Sequence, residues 1–100
     1  MAKKLPTSIN ILGRKVKIKQ GKNLVYDGKP CLGLCDYDNK TIYLEKLQGE
    51  ESKQDTLCHE SLHFFLILLG IDQKLTEAEC EIYCQSFTAL FRDLKKVIFV

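Results

Sequence analysis

The chain has two histidines, four residues apart, with a glutamate directly after the first: His59-Glu60-Ser61-Leu62-His63. On an α-helix, residues at i and i+4 lie one turn apart on the same face, so both imidazoles can converge on a single point. Glu60 then projects beside them. A fold that uses this pair must place a helix here and leave one of its faces open to a shared ligand.

The flanking sequence supplies that helix. Residues 50–69 contain no proline, begin with Glu50 and Glu51, and carry apolar side chains at Leu57, Leu62, Phe65, Leu66 and Leu69, with Gly70 as a stop. The spacing predicts roughly five turns. Residues 62–69 are apolar all round except at His63, which predicts a helix buried in the domain rather than lying on it. The run is well short of the about 20 apolar residues a bilayer span needs. In that helical context H-E-x-x-H is the signature of zinc peptidases, in which the imidazoles hold the metal and the glutamate takes a proton from water.

A catalytic zinc site takes three protein ligands and keeps the fourth position open. There is no third histidine, so the remaining ligand must be a carboxylate or a thiolate. Thr76-Glu77-Ala78-Glu79 has the form of a capping box, and residues 77–95 lack proline and glycine while repeating apolar side chains at Cys80, Tyr83, Phe87, Leu90, Phe91 and Leu94. This predicts a second helix, antiparallel to the first. On its wheel Glu77 and Glu81 share a side with Cys84 and Thr88, and Glu79 points elsewhere, so Glu77 and Glu81 are both candidates. Acidic residues also stabilise any helix N-terminus, which accounts for at least two of the three glutamates without a metal.

The N-terminal half reads as strands. Residues 15–19 alternate polar and apolar after a turn near Gly13-Arg14, with the lysines toward water. Residues 31–36 and 41–44 form a second pair through Asp38-Asn39-Lys40. Between them the pattern is weakest, with residues 24–26 as one more short strand. The expectation is a single α+β domain over residues 1–100: a three- or four-stranded antiparallel sheet (strands about 8–45) packed on two antiparallel helices, about 50–69 and about 77–95. Residues 97–100, Val-Ile-Phe-Val, read as a terminal strand, a dimer contact or a core plug.

Composition narrows the function. A net charge of +2, from 15 basic and 13 acidic side chains, gives no ground for nucleic-acid binding, and the basic N-terminal third (Lys3, Lys4, Arg14, Lys15, Lys17, Lys19) reads as a solvated strand face. The first residues, MAKKLPTSINIL, lack the apolar stretch of about 7 to 15 residues of a signal peptide, so a cytoplasmic protein with reduced thiols is expected. Of its five cysteines, Cys31 and Cys35 repeat the spacing of Cys80 and Cys84, which admits a separate thiolate zinc site; small buried side chains are the simpler reading, and Cys58 belongs to packing.

Residues 55–63, 68–70 and 75–87, together with 33–44 upstream, resemble the small zincin-like proteins of bacteriophages and prophages and, more distantly, the ImmA/IrrE metallopeptidases. The resemblance covers roughly residues 9–95, and only H-E-x-x-H within it is highly specific. In the ImmA/IrrE pattern the downstream ligand is a glutamate followed by a small residue three on, an amide four on and an aromatic six on. Glu81, Cys84, Gln85 and Phe87 match that frame, with cysteine where alanine or serine is usual, and this selects Glu81 over Glu77 as third ligand. The resemblance also implies that residues 41–44 form the edge along which an extended substrate adds as a strand.

The function so implied is a Zn²⁺-dependent metallopeptidase acting on a protein or peptide substrate in the cytoplasm, that of the host cell if the chain is phage-encoded. His59, His63 and Glu81 hold the metal and Glu60 is the general base, with Tyr43 and Tyr83 as candidate oxyanion donors. The alternative is an inactive, zinc-stabilised protein that binds a host or phage regulatory or defence protein. A nucleic-acid accessory role is the weakest of the three, and no membrane association is expected.

Overall fold

In a computed structural model the chain is described over residues 5–98, with side chains through residue 94. Six strands precede two helices: β1 Ser8–Ile11, β2 Arg14–Gly21, β3 Val25–Tyr26, β4 Lys29–Pro30, β5 Gly33–Asp36, β6 Thr41–Glu45, α1 Glu50–Leu68 and, after a 3₁₀ turn at Ile71–Lys74, α2 Glu77–Ile98. The architecture is α+β, as the hydrophobic patterning predicts. The expected short strand near residues 24–26 is β3, which pairs with β4 in a separate two-stranded ribbon.

The main sheet has the order β1-β2-β6-β5 and is mixed rather than antiparallel. β1 and β2 form an antiparallel hairpin with left-handed backbone at Leu12 and Gly13, and β5 and β6 form another. β6, however, runs parallel to β2, with Ile18 opposite Ile42 and Lys17 opposite Thr41. The cause is the crossover of residues 22–40, which carries the chain out through the β3–β4 ribbon and sends it back down β5. β6 then fills the place beside β2, interior to the sheet.

Alternation along β2 buries Val16 and Ile18 and exposes Lys15, Lys17 and Lys19, as its pattern requires. These two side chains join Ile42 and Leu44 of β6 and Phe64 of α1 in the core, with Val16, Ile42, Leu44 and Phe64 wholly buried. Tyr37 closes over Phe64 at a ring-centroid distance of 4.9 Å. α1 thus lies on the sheet through one face. The all-round burial expected for residues 62–69 is only partial, since Leu69 is 48% exposed and the others except Phe64 are half-buried.

α1 ends where left-handed Gly70 (φ 73°) turns the chain into the 3₁₀ segment. The predicted capping box then starts α2: Thr76 N donates to Glu79 Oε1 (2.9 Å) and Glu79 N to Thr76 Oγ1 (3.1 Å). Glu81 meets His63 and His59 while Arg92 meets Asp55, so the helices run antiparallel. α2 continues to Ile98, past the expected end near 95, which excludes a terminal strand at residues 97–98. Phe99 and Val100, like Lys3 and Lys4, lie outside the described residues. No helix among the described residues is long and apolar enough to cross a membrane.

Candidate metal centre

One turn of α1 places both histidines on the side facing α2, and the capped start of α2 brings Glu81 opposite them. His63 Nε2 lies 3.2 Å from His59 Nε2 and 2.6 Å from Glu81 Oε1, and His59 Nε2 lies 3.4 Å from the same oxygen. The histidine side chains are about one-fifth exposed and Glu81 is 45% exposed, so the group opens to solvent on one side only. Among the described residues, His59, His63 and Glu81 form a group that could hold a metal ion.

The triangle fits a first-row metal. Ligand bonds of about 2.0–2.1 Å in tetrahedral array put donor atoms about 3.3 Å apart. Two of the three edges are within about 0.1 Å of that value, and the short His63–Glu81 edge is a hydrogen bond that must open by about 0.7 Å. Two imidazoles and one carboxylate are a donor set that suits such an ion.

The neighbouring carboxylates divide by role. Glu79 is occupied as the α2 cap, and the hydrogen bond its carboxylate accepts from Thr76 N lowers its pKa. Glu77 borders the cleft without joining the ligand group, so the structure brings Glu81, not Glu77, to the histidines. Burial raises the Glu81 carboxyl, and the two imidazoles with their hydrogen bonds more than reverse this, leaving it below the ordinary value. Glu60 behaves oppositely: burial pushes it up to about 7, Glu81 adds to the rise and His59 opposes it.

A cleft of about 1040 Å³ runs over the three ligands and Glu60, walled by β5 on one side and α2 on the other. Among the described residues β5 pairs with β6 alone, which leaves its outer edge free, and Gly33, Leu34 and Cys35 line this cleft. The expected substrate edge at residues 41–44 is therefore corrected: β6 is interior, with Thr41, Ile42 and Leu44 buried, and the edge strand is β5. Gly33 lets β5 approach α1 here. A Cβ on it would stand 2.5 Å from Thr56 Cγ2 and 3.0 Å from Glu60 Cγ. Nothing in the sequence singles Gly33 out, because its demand for space comes from another element.

Neither Tyr43 nor Tyr83 lines the cleft; Tyr83 stacks on Phe87 on another side of α2, and the tyrosine that does line it is Tyr26, from the weakly patterned segment. The cysteines stand outside the metal group. Cys80 and Cys84 are buried, and burial pushes Cys35 and Cys84 up to about 12, which keeps them neutral thiols. Compared with protein-family models, with curated proteins and with solved structures, the chain matches none.

Proposed function

We propose that His59, His63 and Glu81 hold Zn²⁺ and that the protein is a zinc-dependent metallopeptidase, of the kind found in small phage zincin-like proteins, cleaving an extended segment of a cytoplasmic protein. The observation that carries this reading is the division of labour among four side chains. Three donor atoms converge from two helices, while Glu60 stays off the ligand set in the same cleft with a carboxyl near neutrality.

When bound, the ion supplies positive charge at the open position, which brings the pKa of water toward about 7 and polarises a carbonyl. Glu60 would take a proton from the water that adds to the scissile carbonyl and return it to the amine that leaves as the C–N bond breaks, a task for which a pKa near the working pH is best. The free edge of β5 aligns the peptide through main-chain hydrogen bonds, antiparallel or parallel to Gly33–Asp36. Burial of the cleft floor strengthens each of these interactions.

One observation favours a second reading. Neither expected tyrosine reaches the cleft to stabilise an oxyanion. A zinc-stabilised protein that binds a host or phage regulator through the same cleft needs no such group. The two separate on Glu60→Gln. The peptidase reading expects about one zinc per chain in the wild type, lost in His59→Ala and Glu81→Ala, and a Glu60→Gln variant that keeps the metal but cleaves no member of a peptide library followed by mass spectrometry. Glu60→Gln as active as the wild type removes the peptidase reading.

A further inference from the structure

α2 turns its small side chains inward and its large apolar ones outward. Toward α1 it offers Cys80, Cys84 and Thr88, all buried, and toward the cleft Glu81, Gln85 and Arg92. On the adjoining face Tyr83, Phe87, Leu90, Phe91 and Leu94 are 37–49% exposed. An amphipathic helix of a monomer does the reverse. Leu90 lies about 180° around the helix from Glu81, so this face is turned directly away from the metal group.

The face is a continuous seam. Tyr83, Phe87, Leu90 and Leu94 follow the four-three-four spacing of a coiled-coil stripe. Phe87 and Phe91 continue it into a shallow apolar groove whose far wall is Leu62, Phe65 and Leu66 of α1. With side chains of about 200 Å² each, the exposed fractions amount to about 440 Å² of apolar surface per chain. Two copies together reach about 900 Å², below the about 1,200 Å² of a standard interface, so the contact is a weak, concentration-dependent one.

We propose that this seam is the contact of a homodimer in which two copies of α2 pack antiparallel about a two-fold axis. The spacing reads the same in both directions, so an antiparallel pair sets Phe87 against the partner's Leu90 and Tyr83 against the partner's Leu94, a ring against a leucine each time. Charge selects the same arrangement. The helix starts with Glu77 and Glu79 and has Lys95 and Lys96 in its later turns, so antiparallel packing brings unlike ends together, and the helix dipoles favour it as well. Both clefts stay open in such a pair, and the inference is independent of the metal reading.

The test is the solution mass of the purified chain by sedimentation equilibrium from about 1 to 500 µM. The expected result is twice the chain mass of 11.5 kDa at the upper end. Leu90→Glu and, separately, Tyr83→Glu weaken association at least about 100-fold, because each buries an unpaired charge against an apolar side chain of the other copy. Their helical circular dichroism and zinc uptake stay as in the wild type. Ile82→Glu, at a position 61% exposed but off the seam, leaves the dimer intact. A monomer mass throughout the range, or a dimer that persists in both seam variants, overturns the proposal. So does a monomeric wild type that co-floats with anionic lipid vesicles, which would assign the face to a membrane surface.

Discussion

Glu60 carries a stability cost that can be measured without any substrate. Its carboxyl binds a proton at about 7 in the folded chain against an ordinary value of 4.5, chiefly because burial disfavours the charge. A carboxyl whose folded value is raised favours folding fully below about pH 4.5, and that contribution is lost as the pH rises through about 7. The whole change is about 3 kcal/mol, of which about 2 kcal/mol falls between pH 5.5 and 8. Urea unfolding of the metal-free protein, held in a chelator, reads it directly. With a denaturant slope of about 1–1.5 kcal/mol per molar, the wild-type midpoint drops about 1–2 M further over this interval than that of Glu60→Gln, which has no proton to lose. Titrating groups other than His59 and Glu81, which couple to Glu60, are common to both proteins and cancel in the difference. Midpoints that move in parallel with pH would refute the claim that Glu60 is desolvated in the cleft, and with it the account of Glu60 as a base tuned by burial.

Four further outcomes are expected. Gly33→Ala destabilises by about 1–3 kcal/mol in urea, since its Cβ would meet Thr56 Cγ2 at 2.5 Å and the β5–α1 approach must widen. Phe64→Ala, which empties the wholly buried centre of the core, costs about 3–5 kcal/mol by the same measurement. In competition with a chelating dye Glu81→Ala abolishes zinc uptake, whereas Glu77→Ala stays within about threefold of wild type; equal losses would reopen the third ligand. Cys84, wholly buried and pushed up to about 12, resists iodoacetamide at pH 8 until urea is added, as peptide mass mapping would show.

The helices were the legible part of this chain because their signals are local. The proline-free run ending at Gly70 and the Thr76–Glu79 capping box set the ends that the hydrogen bonds of α1 and α2 realise. With both helices placed, His59, His63 and Glu81 come together in the structure as the motif and the resemblance implied. The strand order was not legible. Alternation identifies β2, but no local signal tells β6 to return parallel to it, because that choice is made by the crossover of residues 22–40. The identity of the edge strand, and so of the strand facing the cleft, follows from that order. Gly33 was invisible for a related reason, as its neighbours Thr56 and Glu60 lie on α1. Tyr83, Phe87, Leu90, Phe91 and Leu94 satisfied a core-facing period, yet the sheet lies on the far side of α1 and leaves them bare.

The thin seat of α2 on α1 bears on how long the protein survives in a cell. Among the described residues, two thiols and a threonine, Cys80, Cys84 and Thr88, are the buried side chains of α2, and the Arg92–Asp55 pair beside them is exposed. A helix held so lightly is the segment expected to detach first in partial opening, presenting its backbone to proteases. With the proposed ion in place, His59 and His63 on α1 are tied to Glu81 on α2, and at a free-metal level 1,000 times the dissociation constant this adds about 4 kcal/mol against detachment. The half-life of the chain would then follow the cell's zinc supply, so that scarcity of the metal clears the protein instead of leaving an idle form behind.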